Sequence, residues 1–425
     1  MTLADYERDM AGCSRCTCCK WSALSQIKSW RYAKNCPSVT KYNFHAYSGG
    51  GRLTAGLSII KGRSELTEGV ADIVYKCQLC GACDTACKIY RDDIDINEVL
   101  LEFRADCVER GQLVLEHMLM IDALKKEDNV LGEPKAARDK WAEGLGLKDV
   151  NKQRADVLLH AGCRYCYDKD LWPSIRAAVR LILSAGINLG FAGKNESCCG
   201  GRAYELGYRG EAEKYADDML SRVKASGAIT LLTCCADGYS HFRYLYPRMG
   251  RKLSVDVVHI TEYLIRLIQA GRIRFQRKVP LKVTYHDPCH LGRMSEPFIP
   301  EWEGDKLLRP SSLKRAGRGG VYEQPRAALR SIPGLELVEM ERIREWSWCC
   351  GAGGGVYEAY PDFCFWTAME RIDEARSAGA EALVTACPWC VRAFRDALEQ
   401  AGEAFPIYDM MELVAKSIGI PEEEV

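Results

Sequence analysis

The 425-residue chain carries 58 basic and 58 acidic side chains, so its formal net charge at neutral pH is zero. A protein without excess positive charge has little with which to neutralise phosphates, and this argues against a nucleic-acid partner. The length is sufficient for two or three domain cores. The sequence contains no apolar run of the ~18 residues that cross a bilayer, and its first residues are acidic and unlike a signal peptide. We therefore expect a cytoplasmic protein that reaches the inner membrane face, if at all, through partners.

The content of 22 cysteines is the most unusual feature of the composition. The cytoplasm keeps thiols reduced, so this content predicts metal or redox chemistry and argues against a disulfide framework. The cysteines are also clustered in the sequence, and their spacing indicates how they divide into sites.

Two runs near the amino terminus have the spacing C-x2-C-x2-C, each with a fourth cysteine further along. This spacing is typical of [4Fe–4S] cubes, in which the fourth cysteine of a run often ligates the other cluster, whereas structural zinc sites favour two separated pairs. We assign one cubane cluster to the second-run group, which consists of Cys36, Cys77, Cys80 and Cys83. The other cubane cluster belongs to the first-run group, which consists of Cys13, Cys16, Cys19 and Cys87. Cys18 is one residue out of register, and we interpret it as a neighbour of this cluster.

Residues 1–94 are therefore predicted to form a mostly helical, ferredoxin-like domain. Within it, the glycine-rich segment Tyr47–Arg52 indicates a turn, and residues 66–75 have the pattern of a helix that leads to Cys77. Residues 95–154 are charged and have apolar residues at helical spacing, which predicts a helical connector. Cys107 stands alone in that segment and is interpreted as a core residue.

From residue 155 onward, apolar strands alternate with amphipathic helices, and the same order occurs twice, over 155–275 and 276–425. A direct repeat of this length predicts two tandem α/β domains, so the fold class is α+β overall. The predicted strands are 157–160, 187–191, 228–233, 283–286, 335–338 and 382–385, and the predicted helices include 171–185, 203–225 and 357–378. The cysteines follow the strands, at the edge where α/β sheets build their sites.

The second repeat is expected to bring five thiols to one sheet edge, more than a cubane cluster or a zinc ion takes. This five-thiol group consists of Cys289, Cys349, Cys350, Cys387 and Cys390. The first repeat has a corresponding four-thiol group of Cys163, Cys198, Cys199 and Cys235, with Gly238 in place of the last cysteine. The pairing is not accidental, because 35 residues separate Cys199 from Cys235 and 36 separate Cys350 from Cys387. Cys166 and Cys234 are alternative fifth thiols in the first repeat.

A pattern of C…CCG…CxxC, given twice behind a two-cluster ferredoxin region, resembles the CCG-domain family of heterodisulfide reductase catalytic subunits. Because the ferredoxin part is fused in front, the chain is similar to the D-type subunit of that enzyme. It is also similar to related subunits of sulfite-reducing membrane complexes and of the class II benzoyl-CoA reductase complex. The resemblance implies that the five-thiol group holds a non-cubane [4Fe–4S] cluster able to cleave a disulfide in two one-electron steps. The sequence allows two interpretations of the four-thiol group. It either holds a second such cluster, or its repeat only supports the fold and a subunit interface.

Several other residues near these motifs have two interpretations. His160 and His286 precede the first cysteine of each repeat. In one interpretation they orient a cluster ligand or move a proton, and in the other they serve as structural caps. Trp346, Trp348 and Trp389 flank the five-thiol group and either exclude water or simply pack. Cys364 lies on a predicted helix and is interpreted as a core residue.

The leading hypothesis is an iron–sulfur subunit of a heterodisulfide-reductase-like complex, in which the two cubane clusters pass single electrons to a site that reduces or forms a disulfide. The sequence contains no dinucleotide or nucleotide motif, so flavin- or iron–sulfur-containing partner subunits are expected to supply or accept the electrons. The alternatives are a non-catalytic electron-transfer subunit, as in a class II benzoyl-CoA reductase complex, and a zinc-stabilised scaffold.

Overall fold

The computed structural model describes residues 1–90, 93–299 and 315–420. Its amino-terminal part is helical, with short 3-10 turns around the first cysteine run. The helices of this part are α1 (Glu7–Gly12), α2 (Pro37–Tyr42), α3 (Gly49–Ile60), α4 (Glu68–Tyr75) and α5 (Ala82–Tyr90). Helix α4 confirms the helix expected before Cys77.

The predicted turn at Tyr47–Arg52 is wrong, because helix α3 begins there at Gly49. The Ser48 hydroxyl accepts a hydrogen bond from the Gly51 amide and so caps the helix. Glycine is required at position 51, because a Cβ atom would lie 2.1 Å from the carbonyl oxygen of His45. The glycines therefore allow close approach of the backbone, and only tertiary packing distinguishes that role from a turn.

Two helices follow the ferredoxin-like region, α6 (Ile96–Glu109) and α7 (Leu115–Glu127). They agree with the helical pattern expected for this segment, and most residues of α6 are buried. Arg104 of α6 is buried and donates hydrogen bonds to the carbonyl oxygens of Cys77, Glu205 and Gly354. One side chain thus connects the second cysteine run with both repeats.

The first repeat contains a five-stranded parallel sheet in the order β1-β3-β2-β4-β5. Its strands are β1 (Lys148–Asp149), β2 (Val157–His160), β3 (Leu189–Phe191), β4 (Thr230–Thr233) and β5 (Asp256–His259). Its helices are α8 (Cys163–Tyr167), α9 (Trp172–Ser184), α10 (Gly201–Glu205), α11 (Arg209–Ser226), α12 (Ala236–Ser240), α13 (Tyr246–Arg248) and α14 (Ile260–Gln269), with a π-helical turn between α12 and α13.

The second repeat contains a four-stranded parallel sheet in the order β7-β6-β8-β9. Its strands are β6 (Leu281–Tyr285), β7 (Leu335–Val338), β8 (Ala382–Thr385) and β9 (Ile407–Asp409). Its helices are α15 (Glu323–Arg330), α16 (Val356–Ala359), α17 (Pro361–Ser377), α18 (Pro388–Ala401) and α19 (Met410–Ile418). The order matches β3-β2-β4-β5 of the first sheet, which confirms the tandem α/β repeat.

Two helices predicted as continuous are each broken in the structure. The helix expected over 203–225 is divided into α10 and α11 at Gly207, whose φ is +96° and whose added Cβ would lie 2.4 Å from the carbonyl oxygen of Arg104. The helix expected over 357–378 is divided into α16 and α17 at Tyr360, which precedes Pro361 and has an extended φ of −139°. Proline disfavours helical geometry at the residue before it, and the positive φ of Gly207 lies outside the right-handed helical region.

Among the helices of the described residues, none combines the length and the apolar character that crossing a bilayer demands.

Candidate metal centres

The second-run group assembles around a short loop between α4 and α5. Leu79 and Gly81 of this loop have φ values of +50° and +73°, which turn the chain so that successive thiols face one side. Cys36 reaches this group from the start of α2, and its thiol neighbours are Cys77 and Cys80. Burial raises the pKa of Cys36 to about 12. The structure therefore brings together the four thiols that were assigned to one cluster; their role as ligands stays a prediction.

The first-run group lies on the other side of the start of α3. Cys19 has Cys13 and Cys16 as its thiol neighbours, and burial raises its pKa. Cys87 lies on α5, which packs against the 3-10 turn Cys18–Lys20. Cys16 is exposed, so this group is the one nearest to solvent among the four.

The glycines at the start of α3 lie between these two groups of thiols. A Cβ atom added to Gly49 would lie 3.1 Å from the Cβ atom of Cys83, and one added to Gly50 would lie 3.3 Å from the sulfur of Cys13. The start of this helix therefore lies against one cysteine of each N-terminal group. This close approach explains why the sequence places three glycines there.

The second-run group also contacts the second repeat. Cys80 and Cys349 pack together in one buried cluster, and the neighbouring Cys349 thiol lowers the pKa of Cys80 to about 5. Arg293 supports the junction from the side, donating to the carbonyl oxygens of Cys80 at 2.8 Å and of Ser347 at 2.6 Å. No sequence pattern indicated this contact, because the two cysteines are far apart along the chain.

The five-thiol group forms a continuous series of contacts at the carboxyl edge of the second sheet. Cys349 lies against Cys289 and Cys350, Cys350 against Cys390, and Cys390 against Cys387. All five thiols are buried, with exposed fractions between 1% and 7%. The predicted convergence at the sheet edge is therefore present in the structure.

His286 lies against this group, as one of its two interpretations requires. Its ring nitrogen and the sulfurs of Cys350 and Cys390 are all within 4.8 Å of one another. Arg371 Nε donates a hydrogen bond to Nδ1 of the same ring at 3.2 Å. Burial lowers the pKa of His286, which favours a neutral imidazole beside the thiols.

The four-thiol group surrounds a small cavity at the edge of the first sheet. All four of its thiols line this cavity, together with Gly238, His160, His241 and Trp389. Cys163 is in contact with Cys198, and Cys198 with Cys199. Cys235 in addition contacts Cys387, so the two repeats touch thiol to thiol.

Neither alternative fifth thiol lines this cavity. The Cys166 sulfur lies 3.7 Å from the Glu196 carboxylate, beside the buried Arg138. Cys234 is buried near Asp409. Cys107 and Cys364 are fully buried in helices, as expected of core residues.

A buried chain of hydrogen-bonding side chains connects the two repeats. Glu205 Oε1 lies 2.7 Å from His290 Nε2 and 3.4 Å from His241 Nε2. The opposite nitrogens of these rings face sulfur, with His290 Nδ1 3.4 Å from Cys289 and His241 Nδ1 3.5 Å from Cys199. We call the side chains of Glu205, His241 and His290 the Glu205 bridge.

The charges of the Glu205 bridge are set by their neighbours. Burial disfavours the charged form of His290, but Asp237, Cys289 and Glu205 together raise its pKa well above the usual value. Burial likewise opposes ionisation of Glu205, but His290 and His241 lower its pKa well below the usual value. An ionised Glu205 paired with a protonated His290 is the state that these shifts favour.

The three tryptophans have different surroundings. Trp389 lines the cavity of the first repeat and stacks beneath Arg202, whose guanidinium carbon lies 3.6 Å from the ring centroid. Trp348 is buried and donates to the carbonyl oxygen of Thr367 at 3.0 Å. Trp346 packs against Ala23 and Ala86 of the amino-terminal region. Of the three, Trp389 therefore lines a cavity, whereas the other two pack within the core.

The residues of the Glu205 bridge and Asp237 were not predicted from the sequence. His290 directly follows a predicted ligand, and that adjacency was the one available signal for it. Glu205 and His241 offered none, because their positions beside sulfur depend on how the repeats pack.

The donor set of these groups fits iron–sulfur clusters. All 22 cysteines lie in the described residues, and none of them forms a disulfide. Burial raises the pKa of thiols such as Cys36 and Cys83, so their ionised forms require a positive partner, which bound iron would supply.

Comparison with known proteins gives two domain matches. The family model of a cysteine-rich domain called CCG matches residues 157–243 and 283–395, and that of a 4Fe–4S dicluster domain matches residues 9–89. These matches cover the two repeats and the region of the two cysteine runs.

Relatives that align over most of the chain extend these matches. The D-type subunit of the dihydromethanophenazine:CoB–CoM heterodisulfide reductase of Methanosarcina acetivorans is 31% identical, over 85% of this chain and 81% of its own. Its counterpart from Methanosarcina mazei is 30% identical, over 84% of this chain and 81% of its own. An EtfAB:quinone oxidoreductase of Syntrophomonas wolfei is 26% identical over 82% of this chain, which spans only 47% of that protein. The chain belongs to the family of CCG-domain iron–sulfur proteins typified by the D-type subunit of heterodisulfide reductase.

Proposed function

We propose that the chain is the iron–sulfur subunit of a heterodisulfide-reductase-like complex that reduces or forms a disulfide, or a related sulfur compound, at the five-thiol group. The second-run and first-run groups would each hold one cubane [4Fe–4S] cluster, and the five-thiol group a non-cubane one. When bound, these clusters supply one-electron redox chemistry. The four-thiol group is a candidate for a further cluster.

The observation that carries this proposal is the contact between Cys80 and Cys349. It joins a predicted ligand of a cubane cluster to a predicted ligand of the five-thiol site with no residue in between. Arg293 fixes the junction through the backbone on both sides. A chain that only stored metal would have no need for such direct contact between its sites.

The reaction requires two electrons and two protons to convert one disulfide into two thiols, and the reverse reaction releases them. A partner subunit that carries a flavin or an iron–sulfur cluster would donate or accept the electrons one at a time. The chain itself contributes burial that excludes water, and hydrogen bonds from ring nitrogens to sulfur, which adjust the properties of iron–sulfur sites. His286 and the Glu205 bridge are placed for that role.

Replacing Cys350 by Ser tests the proposal in the anaerobically purified complex. We expect turnover of a thiol disulfide to be lost, together with one EPR signal of the oxidised protein, while the signals of two cubane clusters remain. Cys107→Ser is the matched control, because this thiol is equally buried but lies outside the four groups. Loss of the cubane signals in the Cys350 variant would contradict the assignment of sites.

The alternative function is electron transfer without sulfur chemistry, which the relative named EtfAB:quinone oxidoreductase suggests. Burial of the whole five-thiol group favours it, because a substrate needs access to the site. Substrate turnover separates the two functions. If the loaded complex takes up electrons at the five-thiol site but reduces no disulfide, the chain relays electrons only.

A further inference from the structure

One stretch of the chain has a charge far from the neutral average. Residues 10–64 contain nine lysines and arginines and no aspartate or glutamate, although the whole chain is balanced at 58 of each sign. This stretch includes the first cysteine run and the segment after it. A basic region of this length in a neutral protein indicates a local positive field.

Much of that charge lies on the surface next to the first-run group. Arg15, Lys28 and Lys34 are exposed, and Lys20 is half-buried. Lys20 and Arg15 both lie near His45. Burial lowers the pKa of His45, and the positive charges of these two residues lower it further. Within the described residues, none of the four forms an ion pair, whereas Arg31 is neutralised by Glu370 at 3.1 Å.

Glu341 is the acidic side chain that holds the backbone of this segment. It accepts hydrogen bonds from the backbone amides of Lys28 and Ser29, at 2.7 Å and 2.9 Å, and from the Ser29 hydroxyl. Its carboxylate is thus occupied by hydrogen bonds to Lys28 and Ser29. The ammonium group of Lys28 has no acidic partner in the part of the chain that the structure describes.

The same segment exposes large apolar side chains. Trp30 is 79% exposed and Leu24 is 66% exposed, and the Tyr90 hydroxyl lies beside the Leu24 backbone. Trp21 forms an isolated antiparallel bridge with Lys34, which brings one apolar and one basic residue next to each other. Exposed tryptophan surrounded by charge is typical of protein-binding surfaces.

We propose that this basic surface, defined by Arg15, Lys20, Leu24, Lys28, Trp30 and Lys34, is the docking site for an acidic protein that carries one electron. The inference rests on the proposed function, because it names the partner chemistry for the same electron path. In each encounter one electron moves between the carrier and the group held by the first-run thiols; one side is oxidised and the other reduced by one electron. Cys16 is the exposed thiol of that group, so a carrier that docks here reaches the path at its most accessible end.

Charge complementarity selects an acidic carrier over a neutral or basic one. Unpaired surface cations accelerate encounter with an acidic partner by about 10- to 1,000-fold at low salt, and salt screens the effect. Lys28 and Lys34 are the best positions to test, because both are exposed and their side chains form no ion pair among residues 1–90, 93–299 and 315–420. Lys224 and Lys252 are the matched control, since both are also exposed but belong to the first repeat.

The experiment measures the rate at which a photoreduced, strongly acidic ferredoxin reduces the cluster-loaded full-length protein in a stopped-flow spectrometer. We expect the second-order rate constant of the wild type to fall at least about tenfold as salt rises, and the K28E/K34E double variant to lose about as much at low salt. The K224E/K252E variant should match the wild type. Trp30→Ala should lower the rate at every salt concentration, because it removes an apolar contact and no charge.

A rate that is independent of salt, or that falls equally in K28E/K34E and K224E/K252E, would overturn the docking site. Reduced methyl viologen, a small cationic reductant, separates this failure from failure of the proposed function. If viologen delivers electrons to the five-thiol site while the docking variants behave as the wild type with ferredoxin, the function stands and the docking site does not. If viologen reduces the first-run cluster but no electron reaches the five-thiol site, the proposed electron path itself fails.

Discussion

After β8 the second repeat continues as Cys387-Pro388-Trp389-Cys390, and after β4 the first repeat continues as Cys235-Ala236-Asp237-Gly238. The two segments begin helices at the same position of the same sheet order, yet one ends on a thiol and the other on a glycine. In the second repeat the thiol at position 390 connects Cys387 with Cys350. In the first repeat Gly238 lines a small cavity instead.

The difference extends to the neighbouring residue. Asp237 takes the position of Trp389 and lies 3.5 Å from His290 and 3.3 Å from Arg202. A buried carboxylate beside a ring nitrogen supports the thiol site of the other copy without supplying sulfur. The second repeat thus brings five thiols to its sheet edge, whereas the first brings four and places Asp237 beside His290 of the other repeat.

The most severe test of this comparison makes the second repeat resemble the first. We expect Cys390→Gly to remove the fifth thiol and to lower disulfide turnover by more than about 100-fold, since loss of outer hydrogen-bonding partners alone costs about 10- to 100-fold at metal sites. Turnover, iron content and EPR of the anaerobic complex measure it. A variant with full iron content and an unchanged oxidised-state signal would show that Cys390 is not a ligand.

The second test breaks the Glu205 bridge. Glu205→Leu removes the acceptor that orients both rings toward sulfur, so we expect turnover to fall by about 10- to 100-fold and the midpoint potential of the five-thiol site to shift downward. Glu205→Gln keeps an acceptor oxygen but removes the negative charge that favours a protonated His290, so its potential should lie between those of the wild type and Glu205→Leu. Redox titration followed by EPR measures both variants, and equal potentials in all three proteins would exclude a role for the bridge.

The third test makes the first repeat resemble the second. A Cβ atom at Gly238 would have its nearest neighbour at 3.5 Å, which is ordinary contact distance, so the site accepts a side chain. We expect Gly238→Cys to add a fifth thiol and, after reconstitution with iron and sulfide, a second EPR signal like that of the five-thiol site. Gly238→Ala is the control for the added Cβ atom. No new signal in the cysteine variant would show that the glycine is not what separates the repeats.

The smallest effect is expected at the two thiols of the first repeat that do not line its cavity. Cys166→Ala and Cys234→Ala should leave iron content and turnover within about twofold of the wild type, with changes in the free energy of unfolding of about 1 to 3 kcal/mol from lost packing and hydrogen bonding. Chemical denaturation and iron analysis measure these quantities. Loss of a cluster signal in either variant would identify a fifth ligand that lies outside the cavity.

The sequence by itself determined the membership of the local thiol groups and the repeated sheet. Spacing such as C-x2-C-x2-C acts between residues only a few positions apart, and hydrophobic periodicity reports which face of a strand or helix is buried. Both signals can be read from the sequence without knowledge of the fold. They predicted β7 and β8 at the observed bounds, and placed the cysteines at the carboxyl edges of the sheets.

Tertiary structure alone decided how these groups meet. The Cys80–Cys349 contact, the Cys235–Cys387 contact and the Glu205 bridge join residues from separate parts of the chain. The start of α3 and the break at Gly207 likewise depend on which backbone lies opposite each glycine. A glycine is compatible with a turn, a helix or a close approach, so local sequence does not distinguish these conformations, and only the packed partner selects one.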